Sequence, residues 1–272
     1  MYTGPMSRLP LALLVACAAE APPEQSVELL FTLTSGETPV GCTTPLDGDA
    51  RLQDARFYIS DLALVTAAGR EVPITLAPDG LFQSERVALI DLEARCETSG
   101  TEAVHASVRG TVAQGTYTGL AFGLGVPFEL NHLDGTTAPP PLDNTAMYWG
   151  WQIGYKFLRL DLALPAGAFN LHLGSIGCVS DSAVRPPEGC ARPNRVRVRL
   201  DAFDASKSAV TLDLTALLKG VDIEKNTEGT PPGCQSDPSE ADDCAGVFAH
   251  LGLDFATGEP SAAQTAFRVV PR

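Results

Sequence analysis

The segment MYWGWQIGYKFLRLDLAL, residues 147–164, decides the fold class because its second half alternates between leucine and other side chains. Successive side chains of an extended chain point to opposite faces, so the leucines from Leu158 to Leu164 share one face. The pattern predicts one long strand over the whole segment. Trp149 and Trp151 then share the opposite face, unless one of the glycines beside them carries a bulge.

Strand patterns recur on both sides of this segment. The clearest are Val27–Leu33, Ala55–Gly69, Gly115–Pro127 and Arg195–Phe203. The 25 glycines and 21 prolines suit short strands joined by turns better than long helices. Helical patterns are confined to short stretches near Thr215–Gly220 and Ala245–His250. The sequence therefore predicts an all-β fold, a disulfide-pinned β-sandwich or open barrel with long loops and one or two short helices.

The N-terminus has the pattern of an export signal. Arg8 precedes the apolar run LPLALLVA, and the last residues of that run form a bacterial lipobox with Cys17. We predict that residues 1–16 are a lipoprotein signal peptide and that Cys17 carries acyl chains, which anchor the protein to a membrane. The alternative is an ordinary secretory signal in which Cys17 has no role. No aspartate follows Cys17 directly, which by resemblance to lipoproteins of Gram-negative bacteria favours the outer membrane.

After the signal, residues 17–26 predict a short tether, and residues 27–272 predict a single β domain. No later apolar run approaches the ~18 residues that a membrane-spanning helix needs. We therefore expect an exported protein of the periplasm or cell surface, in contact with a membrane through its lipid anchor only.

The cysteine content agrees with export. The chain has 7 cysteines, and those other than Cys17 form an even set, which suggests disulfides. Local spacing favours Cys178–Cys190 and Cys234–Cys244, which leaves Cys42 and Cys96 for each other. No CxxC motif occurs, which argues against a thiolate site for zinc or an iron–sulfur cluster.

The charge is strongly acidic. Without Arg8, 18 basic residues face 33 acidic ones, a net charge of −15. Such a charge argues against nucleic acid and anionic lipid as partners. It suits a cationic partner or a metal ion, although solubility alone also explains it.

Chemistry concentrates in residues 127–178. The sequence lacks a GxSxG elbow, an HExxH motif and a Walker loop, so a hydrolase interpretation has no support. His132 and His172 both fall in this span, and imidazole suits copper, zinc, nickel and iron. A third ligand would come from Met147, a soft donor, or Asp134, a hard one. The alternative is that both histidines are ordinary loop and strand residues.

The two tryptophans of this span, Trp149 and Trp151, admit three interpretations. Tryptophan in a strand usually packs in a core with its N–H satisfied. A pair on one face also suits stacking on a glycan or peptide. With Tyr148 and Tyr155 nearby, the indoles also suit an oxidisable relay.

Several long segments of the chain resemble the methanobactin-operon P protein family, also called the metallo-mystery pair four-Cys motif family. They are RFYISDLAL (56–64), GTYTGLAFGLGVPFELNH (115–132), APPPLDNTAMYWGWQIGYKFLRLDL (138–162), HLGSIGC (172–178) and RPNRVRV (192–198). The combination of LNHLD, MYWGWQIGYKF and HLGSIGC is specific, and the segments spread over most of the mature chain.

The resemblance implies an exported copper-binding protein rather than an enzyme. It implies a partner, a di-haem cytochrome c peroxidase-like (MbnH-like) enzyme that oxidises a tryptophan of the copper protein to kynurenine. Matched residue by residue, His132 and His172 become the copper ligands, and the modified residue becomes Trp149 or Trp151. Two imidazoles and one weak donor suit Cu(I).

The chain departs from the family pattern in two respects. The family name specifies four cysteines, whereas this chain has two more in addition to Cys17, for which a bridge such as Cys42–Cys96 accounts. The lipobox adds a membrane tether that the family does not require. Two alternatives stay open: a surface lipoprotein that binds a glycan or peptide through Trp149 and Trp151, and an oxidoreductase that uses copper.

Overall fold

The computed structural model describes residues 22–96, 103–150, 152–182 and 185–272. The predicted signal peptide, Cys17 and Trp151 lie outside these residues. None of the described helices is long and apolar enough to cross a membrane.

Strands dominate the described chain. In order they are β1 (Glu24–Ser35), β2 (Thr38–Pro39), β3 (Arg51–Val65), β4 (Glu71–Pro73), β5 (Thr75–Leu76), β6 (Val87–Asp91), β7 (Ser107–Ala113), β8 (Gly119–Leu124), β9 (Tyr148–Gly150), β10 (Gly154–Leu164), β11 (Gly167–Gly174), β12 (Ile176–Val179), β13 (Gly189–Arg192), β14 (Val196–Asp201), β15 (Ser208–Asp213), β16 (Gly233–Cys234) and β17 (Phe267–Pro271). The α-helices are α1 (Phe128–Asn131), α2 (Leu214–Leu217) and α3 (Ala241–His250), and single 3₁₀ turns cover Asp47–Asp49, Thr145–Met147 and Pro238–Glu240.

Two curled sheets face each other. The first runs β17-β15-β1-β7-β5, with β2 beside β1. The second runs β14-β8-β3-β10-β11-β16, with β4 and β6 beside β3 and β9 beside β10. A separate ribbon pairs β12 with β13. The predicted β-sandwich or open barrel, with few and short helices, is confirmed.

The core between the sheets is aromatic at its centre. Phe31 of β1 meets the rings of Phe57 and Phe122 edge to face, with centroids 6.0 and 5.8 Å apart. Phe267 of β17 meets the same two rings, each at 5.6 Å. Edge-to-face pairs at such distances stabilise a core beyond their buried area. One phenylalanine ring from each of four strands, β1, β3, β8 and β17, thus packs at the centre of the core.

Three disulfides join loops and strands in the described residues: Cys42–Cys96, Cys178–Cys190 and Cys234–Cys244. The last two are the pairs that the local spacing favoured, and the first is the pair that this left. Cys178 and Cys190 stand directly opposite each other across the β12–β13 ribbon.

The prediction of one strand over residues 147–164 is wrong. The segment begins with a 3₁₀ turn and then forms a hairpin, in which Tyr148 pairs with Tyr155 across β9 and β10. Gly154 explains the reversal: its φ is +95°, and a Cβ there would lie 2.3 Å from the Asn131 amide. Only glycine fits such a position. The turn separates Trp149 from the leucines of β10.

Candidate functional site

His172 of β11 is held by a carboxylate on the neighbouring strand. Its Nε2 lies 2.7 Å from Oδ1 of Asp161 on β10, and the two side chains are 13% and 9% exposed. Burial tends to raise the pKa of Asp161, but the hydrogen bond from His172 and the charges of His172 and Arg159 hold it below its usual value. An ionised Asp161 accepts the Nε2 proton, so Nδ1 is the nitrogen of His172 that can bind a metal ion.

A buried ionic network supports Asp161. Arg159 donates to Asp161 at 2.7 Å and reaches Asp54 of β3 at 3.2 Å. Arg56 donates to the same Asp54 carboxylate through Nε at 2.8 Å, and its side chain is only 1% exposed. The strand register places Arg159 opposite Arg56 and Asp161 opposite Asp54. The network therefore fixes the carboxylate that fixes His172.

Trp149 lies beside His172. The centroids of the two rings are 6.5 Å apart, with 56° between the planes. The indole packs on Gly174, where an added Cβ would lie 2.4 Å from its Cζ3 atom. Glycine is thus required at position 174 because the ring occupies the space of any side chain. The structure brings these two sequence-predicted site residues together.

A groove of about 400 Å³ opens at the edge of the Trp149 indole. Its walls come from the β9–β10 turn, β12 and the segment before α3. Ile153, Ile176, Thr230, Gln235 and Asp237 are among the residues that line it.

His132 lies in different surroundings. It follows α1, is 7% exposed, and packs against the Phe128 ring at 4.9 Å. Its Nε2 lies 3.4 Å from the Asn131 amide nitrogen and 3.6 Å from the Cys190 sulfur. Among the described residues, no group of three or more His, Cys or carboxylate ligand atoms within 4.8 Å of one another contains both His132 and His172.

The two candidates for a third ligand differ in position. Met147 is fully buried within the hydrophobic core. Asp134 is exposed, and its Oδ1 accepts hydrogen bonds from the backbone and hydroxyl of Thr136, which lower the pKa of the carboxyl. Asp134 therefore has a turn-forming role in this structure.

The two other histidines have structural partners. Nδ1 of His105 bonds the Leu89 carbonyl at 2.8 Å, and its ring stacks on Phe82. Nε2 of His250, at the end of α3, bonds the Lys219 carbonyl at 2.8 Å.

The candidate donors suit copper by their chemical type, but none of the described ligand clusters contains both histidines. His172 offers an imidazole nitrogen oriented by an anionic carboxylate, an arrangement common to metal-binding histidines. His132 offers a second buried imidazole, and Met147 a thioether, and such soft or borderline donors suit copper better than magnesium or calcium. Sequence reasoning missed Asp161, Arg159 and Asn131, because charged and amide residues on a strand face or a turn normally predict solvated positions.

Comparison with known proteins is consistent with this description. The family model described as MbnP matches residues 24–236. Among solved structures, MbnP from Methylosinus trichosporium is 32% identical with a TM-score of 0.82, and the match covers 92% of this chain and 99% of that chain. No curated protein matches the sequence. The chain belongs to the MbnP family.

Proposed function

We propose that this protein is an exported copper-binding protein whose site uses His132, His172 and a tryptophan that is oxidised to kynurenine. The observation that carries the proposal is the contact of Trp149 with a histidine whose Nε2 is fixed by Asp161. On that contact we propose Trp149 as the modified residue; Trp151 lies outside the described residues. The protein would acquire, store or transfer copper as Cu(I) and would not catalyse a reaction itself.

The oxidation changes what the side chain can donate. An indole nitrogen is a poor ligand because its lone pair belongs to the aromatic system. Opening the ring replaces it with an arylamine nitrogen and a ketone oxygen, which can bind a metal or hold a hydrogen bond to one. Space for the product exists because the indole borders the open groove rather than the closed core.

The oxidant belongs to a partner, a di-haem peroxidase of the cytochrome c peroxidase type. Two peroxide equivalents supply the two oxygen atoms that cleave the C2–C3 bond of the indole. Hydrolysis then releases C2 as formate and leaves kynurenine. The residue therefore loses one carbon and gains one oxygen overall.

The proposed location of the protein rests on the features that indicate export. The disulfides agree with an exported protein, because such bonds persist in oxidising compartments. We further propose that lipid on Cys17 holds the protein at the outer membrane, and that the acidic surface excludes nucleic acid as a partner.

The decisive experiment is the intact mass and copper content of protein purified from its native host. We expect one copper per chain and a mass change of one carbon lost and one oxygen gained, mapped to Trp149 by peptide sequencing. His132→Ala and His172→Ala should each lose copper. Protein without copper and with intact tryptophans, from copper-fed cells that contain the partner, would overturn the proposal.

The groove beside Trp149 supports a second candidate, a module that binds a glycan or peptide. Indole, Thr230, Gln235 and Asp237 together offer a stacking surface with hydrogen-bonding groups, as carbohydrate sites do. This candidate predicts unmodified tryptophans whose fluorescence responds to glycans and not to copper. A copper response without a glycan response would exclude it.

A further inference from the structure

The Cys178–Cys190 disulfide and His132 together form a cluster. The copper proposal uses His132 but neither cysteine. Their ligand atoms, the two sulfurs and an imidazole nitrogen, all lie within 4.8 Å of one another. We infer that reduction of this disulfide creates a second kind of metal site, in which two thiolates and the His132 imidazole bind one thiophilic cation such as Zn²⁺. The inference shares His132 with the proposed copper centre but does not depend on it.

The tautomer of His132 is set by its neighbour. The Asn131 amide oxygen accepts a hydrogen bond from the backbone N–H of Tyr155 at 2.9 Å. Its NH₂ group therefore faces His132, where Nε2 lies 3.4 Å away and accepts. A nitrogen that accepts carries its lone pair, so the same Nε2 that faces Cys190 is in the form that binds a metal.

The spacing already matches a metal site. An imidazole nitrogen at about 2.05 Å and a thiolate at about 2.3 Å from a tetrahedral Zn²⁺ lie about 3.6 Å from each other. His132 Nε2 lies 3.6 Å from Cys190 Sγ. The nitrogen therefore needs no displacement towards this sulfur, and only the second sulfur must rotate away once the bond is broken.

The ribbon keeps the cysteines together after reduction. Ile176 pairs with Arg192 on one side of the cysteine pair, and Val179 pairs with Gly189 on the other. Opposed residues of a hairpin need no CxxC spacing to converge on one ion. The missing CxxC motif therefore does not exclude a thiolate site here, since the strand register supplies the proximity that sequence spacing lacks.

Selective reduction is expected from burial. Both cysteines of the ribbon are partly exposed, whereas Cys234 and Cys244 are fully buried and, in the third bridge, Cys96 is fully buried and only Cys42 is partly exposed. A thiolate must reach a sulfur to attack it, so exposed disulfides exchange first. A protein dithiol would supply two electrons and two protons and become a disulfide itself. Binding of the cation then releases the two thiol protons.

The test uses Co²⁺ as the probe, because thiolate ligands give it a charge-transfer absorption that carboxylates and imidazoles do not. The full chain is treated briefly with a phosphine, which takes oxygen from water as it reduces the disulfide. Two free thiols at Cys178 and Cys190 are verified by alkylation and mass spectrometry. After removal of the phosphine without air, we expect one equivalent of Co²⁺ with thiolate absorption, displaced by Zn²⁺.

Three comparisons make the result specific. The oxidised protein and the double variant Cys178→Ser/Cys190→Ser should show no thiolate absorption. His132→Ala should weaken Co²⁺ binding at least about tenfold, since even loss of an outer partner costs that much. His172→Ala should keep the thiolate site while it loses copper, which separates this inference from the copper proposal. A reduced protein with both thiols verified and no thiolate absorption overturns the inference, and so does absorption that His132→Ala leaves unchanged.

Discussion

The two histidines of the central segment differ in what surrounds them. His172 lies on β11, between β10 and the short edge strand β16, and the carboxylate of Asp161, which Arg159 pairs with, fixes its ring. His132 follows a one-turn helix and faces a partly exposed disulfide and an amide. Two histidines of one segment thus have surroundings suited to different tasks: a network of ion pairs holds His172, whereas His132 lies beside a bond that a reductant could open.

The largest expected difference between the two regions is in stability. Arg56→Met leaves Asp54 buried without its main partner, which costs about 3–5 kcal/mol for a buried pair. The matched change near His132 is Arg86→Met, which breaks an exposed pair with Glu129 of α1 and costs about 0–1 kcal/mol. Urea unfolding of both variants measures the contrast. Equal decreases in the free energy of unfolding would show that the ion pairs near His172 stabilise the fold no more than the pair near His132.

A second contrast concerns copper affinity. Asp161→Asn removes the anionic acceptor of the His172 proton, so the affinity for copper should fall about 10–100-fold. Asp134→Asn is the control, because that carboxylate lies two residues from His132 but bonds only its own turn. Competition with a chromophoric copper chelator measures both. An unchanged affinity in Asp161→Asn would mean that His172 needs no fixed orientation.

A third contrast concerns packing around Trp149. Gly174→Ala places a methyl group 2.4 Å from the indole, and such overpacking costs about 1–3 kcal/mol. Gly150→Ala, directly after Trp149 in β9, meets no atom within 4 Å and should stay within about 0.5 kcal/mol of the parent. Thermal unfolding and tryptophan fluorescence report the two effects. A neutral Gly174→Ala with unshifted emission would show that the ring is not held there.

The smallest expected effect is a pH dependence. The folded state lowers the pKa of Asp161, so its contribution to stability is complete above the unfolded value of about 3.9 and is lost as the pH falls through the folded pKa. Asp161→Asn should therefore flatten the acid limb of the stability curve below about pH 4. Parallel acid limbs in the variant and the parent would contradict this assignment.

Sequence patterns predicted much of the fold but only part of the site. Alternating leucines and valines located the strands because one face of each is buried against the core. The same rule failed at residues 147–164, where the chain reverses at Gly154 and the Asn131 side chain of α1 occupies the space of any Cβ. Local periodicity contains no information about such a long-range contact.

Within the site, residue type identified the proposed ligands and missed the residues that support them. His132, His172 and Trp149 are rare residues in a short span, and that rarity was the signal. Asp161 and Arg159 lie on the face of β10 opposite the leucines, where alternation normally indicates solvent. They are nearly buried because their charges pair across two strands, and cross-strand register cannot be derived from one strand alone.

The position of β1 has a consequence for how the protein is made. This strand pairs with β7 on one side and, in parallel, with β15 on the other, where Phe31 is opposite Val210. A chain that emerges from its N-terminus therefore has one edge of β1 unprotected until β15 has also emerged. Exposed strand edges pair readily with other chains. The first described strand therefore completes its pairing only once β15 is available, and until then its free edge can pair with other chains.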